Sequence, residues 1–183
     1  MPSGSYHFVT VWRVPGTIAE VKDVLGNVNT LPEWWPSVYL AVERLEDGGP
    51  DWVGSTSLLH TKGWLPYTLK WTIRLTEPIT DEGFAIEAIG DLNGTGRWTF
   101  AQDGPEVLIT YEWQVGASKP LLRRMAWLLK PAFKANHVWA MYRGEESLKL
   151  EMRRRRATTD EERAAIPPPP PPTFSRLHRS PRG

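Results

Sequence analysis

Two neighbouring polar residues in the C-terminal third of the chain have side chains that could do chemistry in an apolar setting. His137 follows Asn136 in a stretch with helical periodicity. A neutral imidazole there could act as general base on an acidic C–H or bind a carbonyl, or it could be a structural histidine bonded to a strand. A buried Asn136 amide needs several hydrogen bonds, which either a ligand or the adjoining sheet could supply.

The sequence is also rich in tryptophan, with ten in 183 residues. Tryptophan has a large apolar ring and one polar N–H, so many of them suggest a thick core or an aromatic-lined cavity. Four aromatic residues fall on the apolar side of the alternating strands, namely Trp71, Trp98, Tyr111 and Trp113. A packed core and a ligand pocket would both use these residues, so their positions fit either interpretation. Trp34 and Trp35, just before Pro36, are predicted to form either a lid over an opening or a plug beneath short helices.

Several familiar chemistries lack their minimum parts. The chain has no cysteine, no HExxH, no pair of histidines at metal spacing and no GxSxG. Gly94-x-Gly96 lacks the third glycine of a dinucleotide loop. We therefore predict no metal and no cofactor.

Alternation of apolar and polar residues predicts seven strands, less cleanly in the second and third, since period two is typical of an antiparallel sheet with one covered face. Two short helices are predicted between the first two strands. Thr17 to Leu25 has Thr17 as N-cap, Glu20 at the capping-box position and Gly26 as the stop. Thr30 to Trp35 is the second. The strands are predicted at 6–14, 38–46, 53–62, 67–76, 84–89, 96–101 and 107–115.

A long helix is predicted from about Lys119 to Arg156, with a kink or restart at Pro131. Arg143 falls on the inward half of the helical wheel, where it could pair with an acid, bind an acidic ligand group, or be rotated out by the kink. One face of this helix has mostly small residues, which leave space between helix and sheet and favour a partly hollow interior. That face consists of Ala132, Phe133, Asn136, Ala140 and Ser147.

Composition divides the chain into a folded domain, residues 1–156, and a disordered proline-rich tail, residues 157–183. The proline run 167–172 predicts an extended polyproline rod, which could bind an SH3- or WW-like module. The net charge of +1 excludes the basic patch that nucleic-acid binding requires. The start MPSGSYHF has no apolar signal segment and no run approaches about 18 apolar residues, so we predict a cytoplasmic protein without an integral membrane segment.

The order of these motifs resembles the START-like (SRPBCC) superfamily, and within it the bacterial polyketide cyclase/dehydrase-like branch. The resemblance implies an α+β helix-grip fold, in which a curved seven-stranded antiparallel sheet wraps around a long C-terminal helix, with two short helices after the first strand. It also implies a deep pocket for hydrophobic small molecules. The segments that carry it are Leu31-Pro32-Glu33-Trp34-Trp35-Pro36, Pro66-Tyr67-Thr68-Leu69, Gly90 to Trp98, Tyr111-Glu112-Trp113, Pro131-Ala132-Phe133, Asn136-His137, Met141 and Gly144-Glu145-Glu146.

Three functions remain open on the sequence. The first is binding of a hydrophobic or aromatic small molecule, lipid or polyketide-like, between sheet and helix. The second is a polyketide cyclase/dehydratase-type enzyme with His137 as general base and Asn136 or Tyr111 polarising a carbonyl. The third is an adaptor that acts through the proline-rich tail. The ligand-binding residues expected for the first are Trp71, Trp98, Tyr111, Trp113, Phe133, Asn136 and Ala140.

Overall fold

A computed structural model describes residues 5–117 and 126–174. The strands are β1 (Ser5–Pro15), β2 (Tyr39–Glu46), β3 (Thr56–Lys62), β4 (Thr68–Leu75), β5 (Gly83–Gly90), β6 (Leu92–Asp103) and β7 (Glu106–Ala117). The helices are α1 (Ile18–Leu25), a 3₁₀ turn (Val28–Thr30), α2 (Leu31–Trp34), α3 (Ala126–Arg156) and α4 (Asp160–Ala164).

The seven strands form one antiparallel sheet in the order β1-β7-β6-β5-β4-β3-β2. Every neighbouring pair is antiparallel, and β1 pairs with β7 along its whole length. The sheet curves around α3, while the two short helices follow β1. This is the predicted helix-grip architecture.

Helix α1 begins and ends where the sequence predicts. The Thr17 side chain accepts a hydrogen bond from the Glu20 N–H, and the Glu20 carboxylate accepts one from the Thr17 N–H, which completes the capping box. Arg156, the last residue of α3, donates from Nε to Glu20 at 2.6 Å. This ion pair joins the end of the long helix to the start of α1.

Helix α3 contributes a buried stripe that the sequence analysis identified only in part. Pro131 lies inside a helix that continues from Ala126 to Arg156, so the helix does not restart at this proline. The predicted residues 119–125 lie outside the described part of the chain. The buried residues of α3 include Met141, Gly144, Ser147, Leu148 and Met152, whereas the predicted inward residues Ala132, Phe133, Asn136 and Ala140 are half-buried.

The segment after α3 packs on the domain, where the sequence predicted a disordered extension. Thr159 caps α4 with its own capping box. Arg154 donates to the Pro167 carbonyl, and beyond the proline run the Thr173 hydroxyl donates to the Gly63 carbonyl at 3.2 Å. Residues 157–174 therefore return to the end of β3. That the domain itself ends at Arg156 stays a prediction.

Candidate functional site

A cavity of about 170 Å³ lies between the sheet and α3. We call it the helix-side cavity. Seven of the eight residues proposed from the sequence line it, namely Trp71, Tyr111, Trp113, Phe133, Asn136, His137 and Ala140. On the sheet side its lining comes from β1, β2, β3, β4, β6 and β7.

The aromatic wall of this cavity is a chain of ring contacts. Trp71 and Trp113 have ring centroids 6.0 Å apart, and Tyr111 stacks on Trp113 at 5.8 Å. The Trp71 indole donates from Nε1 to the Thr61 hydroxyl at 3.0 Å, which fixes the ring against β3. These rings form an apolar surface on the sheet side of the cavity.

Trp98 is the predicted site residue that does not line this cavity. It stacks on Tyr111 at 4.0 Å, but its other side faces a separate cavity. Both residues are on the covered face of the sheet, as predicted. Their cross-strand pairing puts them side by side, and the division between the two cavities passes between them.

Asn136 anchors the helix to the sheet. Its Oδ1 accepts a hydrogen bond from the Leu65 N–H at 3.2 Å, in the loop between β3 and β4. Gly63 lets this amide approach the backbone, because a Cβ at that position would overlap the Asn136 amide and displace it. Of the two sequence-based interpretations of this amide, the structure supplies the contacts of anchoring, while the residue also lines the cavity.

His137 is a neutral residue in the cavity wall. Its ring stacks on Phe8 with centroids 4.1 Å apart, and its Nε2 lies 3.3 Å from the Thr10 hydroxyl. Burial lowers the pKa of His137 to about 4. The imidazole is therefore unprotonated at neutral pH and is a weak base, since the best catalytic pKa lies near the working pH.

Tyrosine hydroxyls are the polar groups that the sequence analysis largely missed. Tyr39 and Tyr67 line the cavity together with Tyr111. Burial raises the pKa of Tyr111 well above its usual value and that of Tyr67 to about 12, so both are neutral hydrogen-bond donors. Within residues 5–117 and 126–174, neither the Tyr39 nor the Tyr111 hydroxyl has a hydrogen-bond partner. Tyr67 was within reach of sequence reasoning, because it lies in the quoted Pro66-Tyr67-Thr68-Leu69 motif.

A second cavity, of about 420 Å³, lies between the α1–α2 segment and strands β2 to β6. We call it the loop-side cavity. Trp35 and Tyr39 line both cavities, so they form the wall between them. Trp34 and Trp35 are buried, with 0% and 3% of their surface exposed. They are a plug beneath the short helices, which decides between the two sequence-based alternatives for this pair.

Arg143 does not reach either cavity. It pairs with Glu146 on the same helix at 2.8 Å and lies over the exposed Tyr142 ring. Among the residues that the structure describes, no group of three metal-ligating side chains is found, and no helix is long and apolar enough to cross a membrane.

Most of the described chain matches one known family. The family described as "Polyketide cyclase / dehydrase and lipid transport" matches residues 6–152. This span contains β1 from its second residue, all of the other six strands and most of α3. The chain belongs to this family. A search of curated protein sequences gives no match.

Solved structures similar to this polyketide cyclase/dehydrase family member share its fold at low sequence identity. The ZhuI aromatase/cyclase from Streptomyces sp. R1128 is 18% identical with a TM-score of 0.62, and the match covers 84% of this chain and 97% of that one. A protein from Thermus thermophilus is 15% identical with a TM-score of 0.60, covering 78% and 97%. Norcoclaurine synthase from Thalictrum flavum, solved with dopamine and hydroxybenzaldehyde, is 16% identical with a TM-score of 0.56, covering 81% and 89%.

Proposed function

We propose that this protein binds a hydrophobic or aromatic small molecule, lipid or polyketide-like, in the helix-side cavity. The observation that supports this most strongly is the open space between Trp71, Trp113 and the small face of α3. At about 170 Å³ it is several times the roughly 30 Å³ that one water occupies in the liquid. A tightly packed interface between sheet and helix would have left no such volume.

The lining is suited to an apolar ligand with one or two acceptor atoms. Aromatic and aliphatic side chains cover most of the surface, while the Tyr111 and Tyr39 hydroxyls are neutral donors in an otherwise apolar wall. An unpaired donor in such a place gains a hydrogen bond when a carbonyl or hydroxyl enters. The cavity is smaller than the roughly 300–1,000 Å³ of typical ligand pockets. A small ring system is therefore the ligand size that this volume favours.

The test places a larger side chain on the helix side of the cavity and measures the loss of ligand affinity. Ala140→Leu adds three carbons to the lining, and Val138→Leu adds one to a residue of the same helix that is 57% exposed. Calorimetry with 2-naphthol, which is neutral at pH 7, gives the affinity of each variant. We expect Ala140→Leu to weaken binding at least about tenfold, since the added carbons occupy ligand space and overpacking costs on the order of 1–3 kcal/mol. Equal affinities for the two variants would contradict the proposal.

The alternative is a cyclase/dehydratase-type enzyme that uses His137 as general base. Its support is the family to which the chain belongs and the position of His137 in the cavity wall. The pKa of about 4 argues for the binding function instead, because so weak a base abstracts a proton slowly. Binding needs only the cavity and its donors, so we rank it first.

A further inference from the structure

The loop-side cavity has a polar end that the proposed function does not use. Arg44 on β2, Ser57 on β3 and Ile73 on β4 are directly opposite one another in the strand register, so their side chains are on one face of the sheet. All three line the cavity. A guanidinium and a hydroxyl therefore sit side by side against an apolar interior.

Neither of these polar groups is satisfied by the protein. Ser57 is 1% exposed, and its buried Oγ has no hydrogen-bond partner in the described part of the chain. The Trp35 indole, on the wall between the cavities, likewise has a buried Nε1 without a partner there. Buried donors without partners are uncommon, because each costs the free energy of its lost hydration. Six buried side-chain groups lack a partner in the described residues, and Ser57 and Trp35 are the two of them that line the loop-side cavity.

Arg44 is available for an anion. Among residues 5–117 and 126–174 it forms no salt bridge, although Glu43 and Glu46 are on the same strand. Its guanidinium lies 5.8 Å from the ring centroid of Trp52, which is 56% exposed and lines the same cavity. The aromatic ring stabilises the positive charge of the guanidinium from one side, and the guanidinium N–H groups stay free to donate to a ligand on the other.

We propose that the loop-side cavity is a separate binding site for an apolar carboxylic acid. The carboxylate accepts hydrogen bonds from Arg44 and Ser57, and the apolar body lies among Leu25, Ile73, Leu75 and Ile86. A single guanidinium matches a single negative charge, and its planar fork fits a carboxylate. A phosphate dianion would leave one charge uncompensated, because Arg44 is the only charged residue that lines the cavity within residues 5–117 and 126–174. The volume of about 420 Å³ falls in the range of ligand pockets.

The test compares two probes that differ only at the polar end, sodium decanoate and 1-decanol, by calorimetry at pH 7.5. We expect the wild-type protein to bind decanoate at least about tenfold more tightly, as a charge-assisted hydrogen bond predicts. Arg44→Gln should abolish this preference and Arg44→Lys should retain part of it. Ser57→Ala should weaken decanoate alone, and it removes a hydroxyl that the free protein leaves unpaired, so the free protein keeps its stability.

Ala140→Leu distinguishes this site from the helix-side cavity. It should weaken 2-naphthol and leave the decanoate preference intact, whereas Arg44→Gln should do the reverse. Thermal unfolding of each variant verifies that it is folded. The proposal is overturned if the wild-type protein shows no saturable decanoate binding, or if the preference survives Arg44→Gln. Loss of the preference in Ala140→Leu would also overturn it, because the acid would then occupy the helix-side cavity.

Discussion

Gly144 packs against the ring of Trp35, which separates the two cavities together with Tyr39. The Gly144→Ala variant tests whether that ring can move. A Cβ at this position would meet three atoms of the Trp35 ring, all closer than 3.0 Å. Trp35 is held by edge contacts with Trp12 at 5.5 Å and Tyr39 at 5.2 Å. The indole therefore cannot retreat from α3 without disturbing a buried aromatic cluster, unless it turns into one of the cavities.

The magnitude follows from two opposing contributions. Replacing glycine by alanine inside a helix gains about 1 kcal/mol of backbone propensity. Forcing a methyl group into a packed core costs on the order of 1–3 kcal/mol, and contact with three ring atoms favours the upper end. We expect Gly144→Ala to lower the free energy of unfolding by about 1–2 kcal/mol, measured by urea denaturation with an unchanged m-value.

Trp35→Phe provides the matched background, because it removes the fused ring that carries Cζ2 and Cη2. In that background Gly144→Ala should stabilise the protein by up to about 1 kcal/mol, as the propensity contribution alone predicts. The double-mutant cycle should thus give a coupling of about 2–3 kcal/mol. If Gly144→Ala is as stable as the wild type, Trp35 moves freely and the two cavities are not separated by a fixed wall.

Two further predictions concern groups outside that wall. The unfolded chain protonates His137 near pH 6.5 and the folded chain only near 4, so wild-type stability should fall relative to His137→Gln as the pH drops between these values, by at most about 3 kcal/mol. Urea denaturation of both proteins from pH 4 to 7 measures this, and parallel pH profiles would refute it. A chain ending at Arg156 should unfold cooperatively with a free energy within about 1 kcal/mol of the full chain, since the tail contacts at Thr173 are hydrogen bonds at a partly exposed site. Failure of that chain to fold would move the domain boundary into the tail.

Because the interior is divided into two cavities, each cavity sets its own limit on the size of a ligand. Trp35 and Tyr39 line both spaces, so their ring positions determine how far a molecule can extend from either side. A ligand of the helix-side cavity meets tyrosine hydroxyls, whereas a ligand of the loop-side cavity meets Arg44 and Ser57. If both proposals hold, the two sites select for different polar groups on similarly apolar ligands.

The sequence was most informative where local periodicity and local contacts coincide. The alternation in Thr68–Leu75 predicts both the strand and its covered face, because one-sided burial imposes period two. Thr17, Glu20 and Gly26 predict the limits of α1, because a capping box needs only residues within one turn. These features depend on neighbours a few residues away, so they could be recognised without a structure.

Contacts between segments that are far apart in the chain were harder to predict from the sequence. Composition predicts disorder for the tail, yet Thr173 bonds to Gly63, a contact 110 residues apart in the chain. The helical wheel of α3 emphasised its small residues and missed Leu148 and Met152 as core residues, because the buried side of a helix depends on what packs against it. Arg143 lies on the calculated inward half, but its partner Glu146 is on the same helix and holds it at the surface.

The sequence alone determined the strand pattern, the α1 cap, the family resemblance and seven of the residues that line the helix-side cavity. The alternation of residues along a strand and the residues that form a turn or cap depend only on neighbours a few positions away in the chain. Only the tertiary structure decided that Trp35 fills the centre, that Trp98 faces a second cavity, and that Arg44 and Ser57 adjoin there. Such assignments depend on which segments meet across the sheet, and no periodicity within one segment specifies its partner.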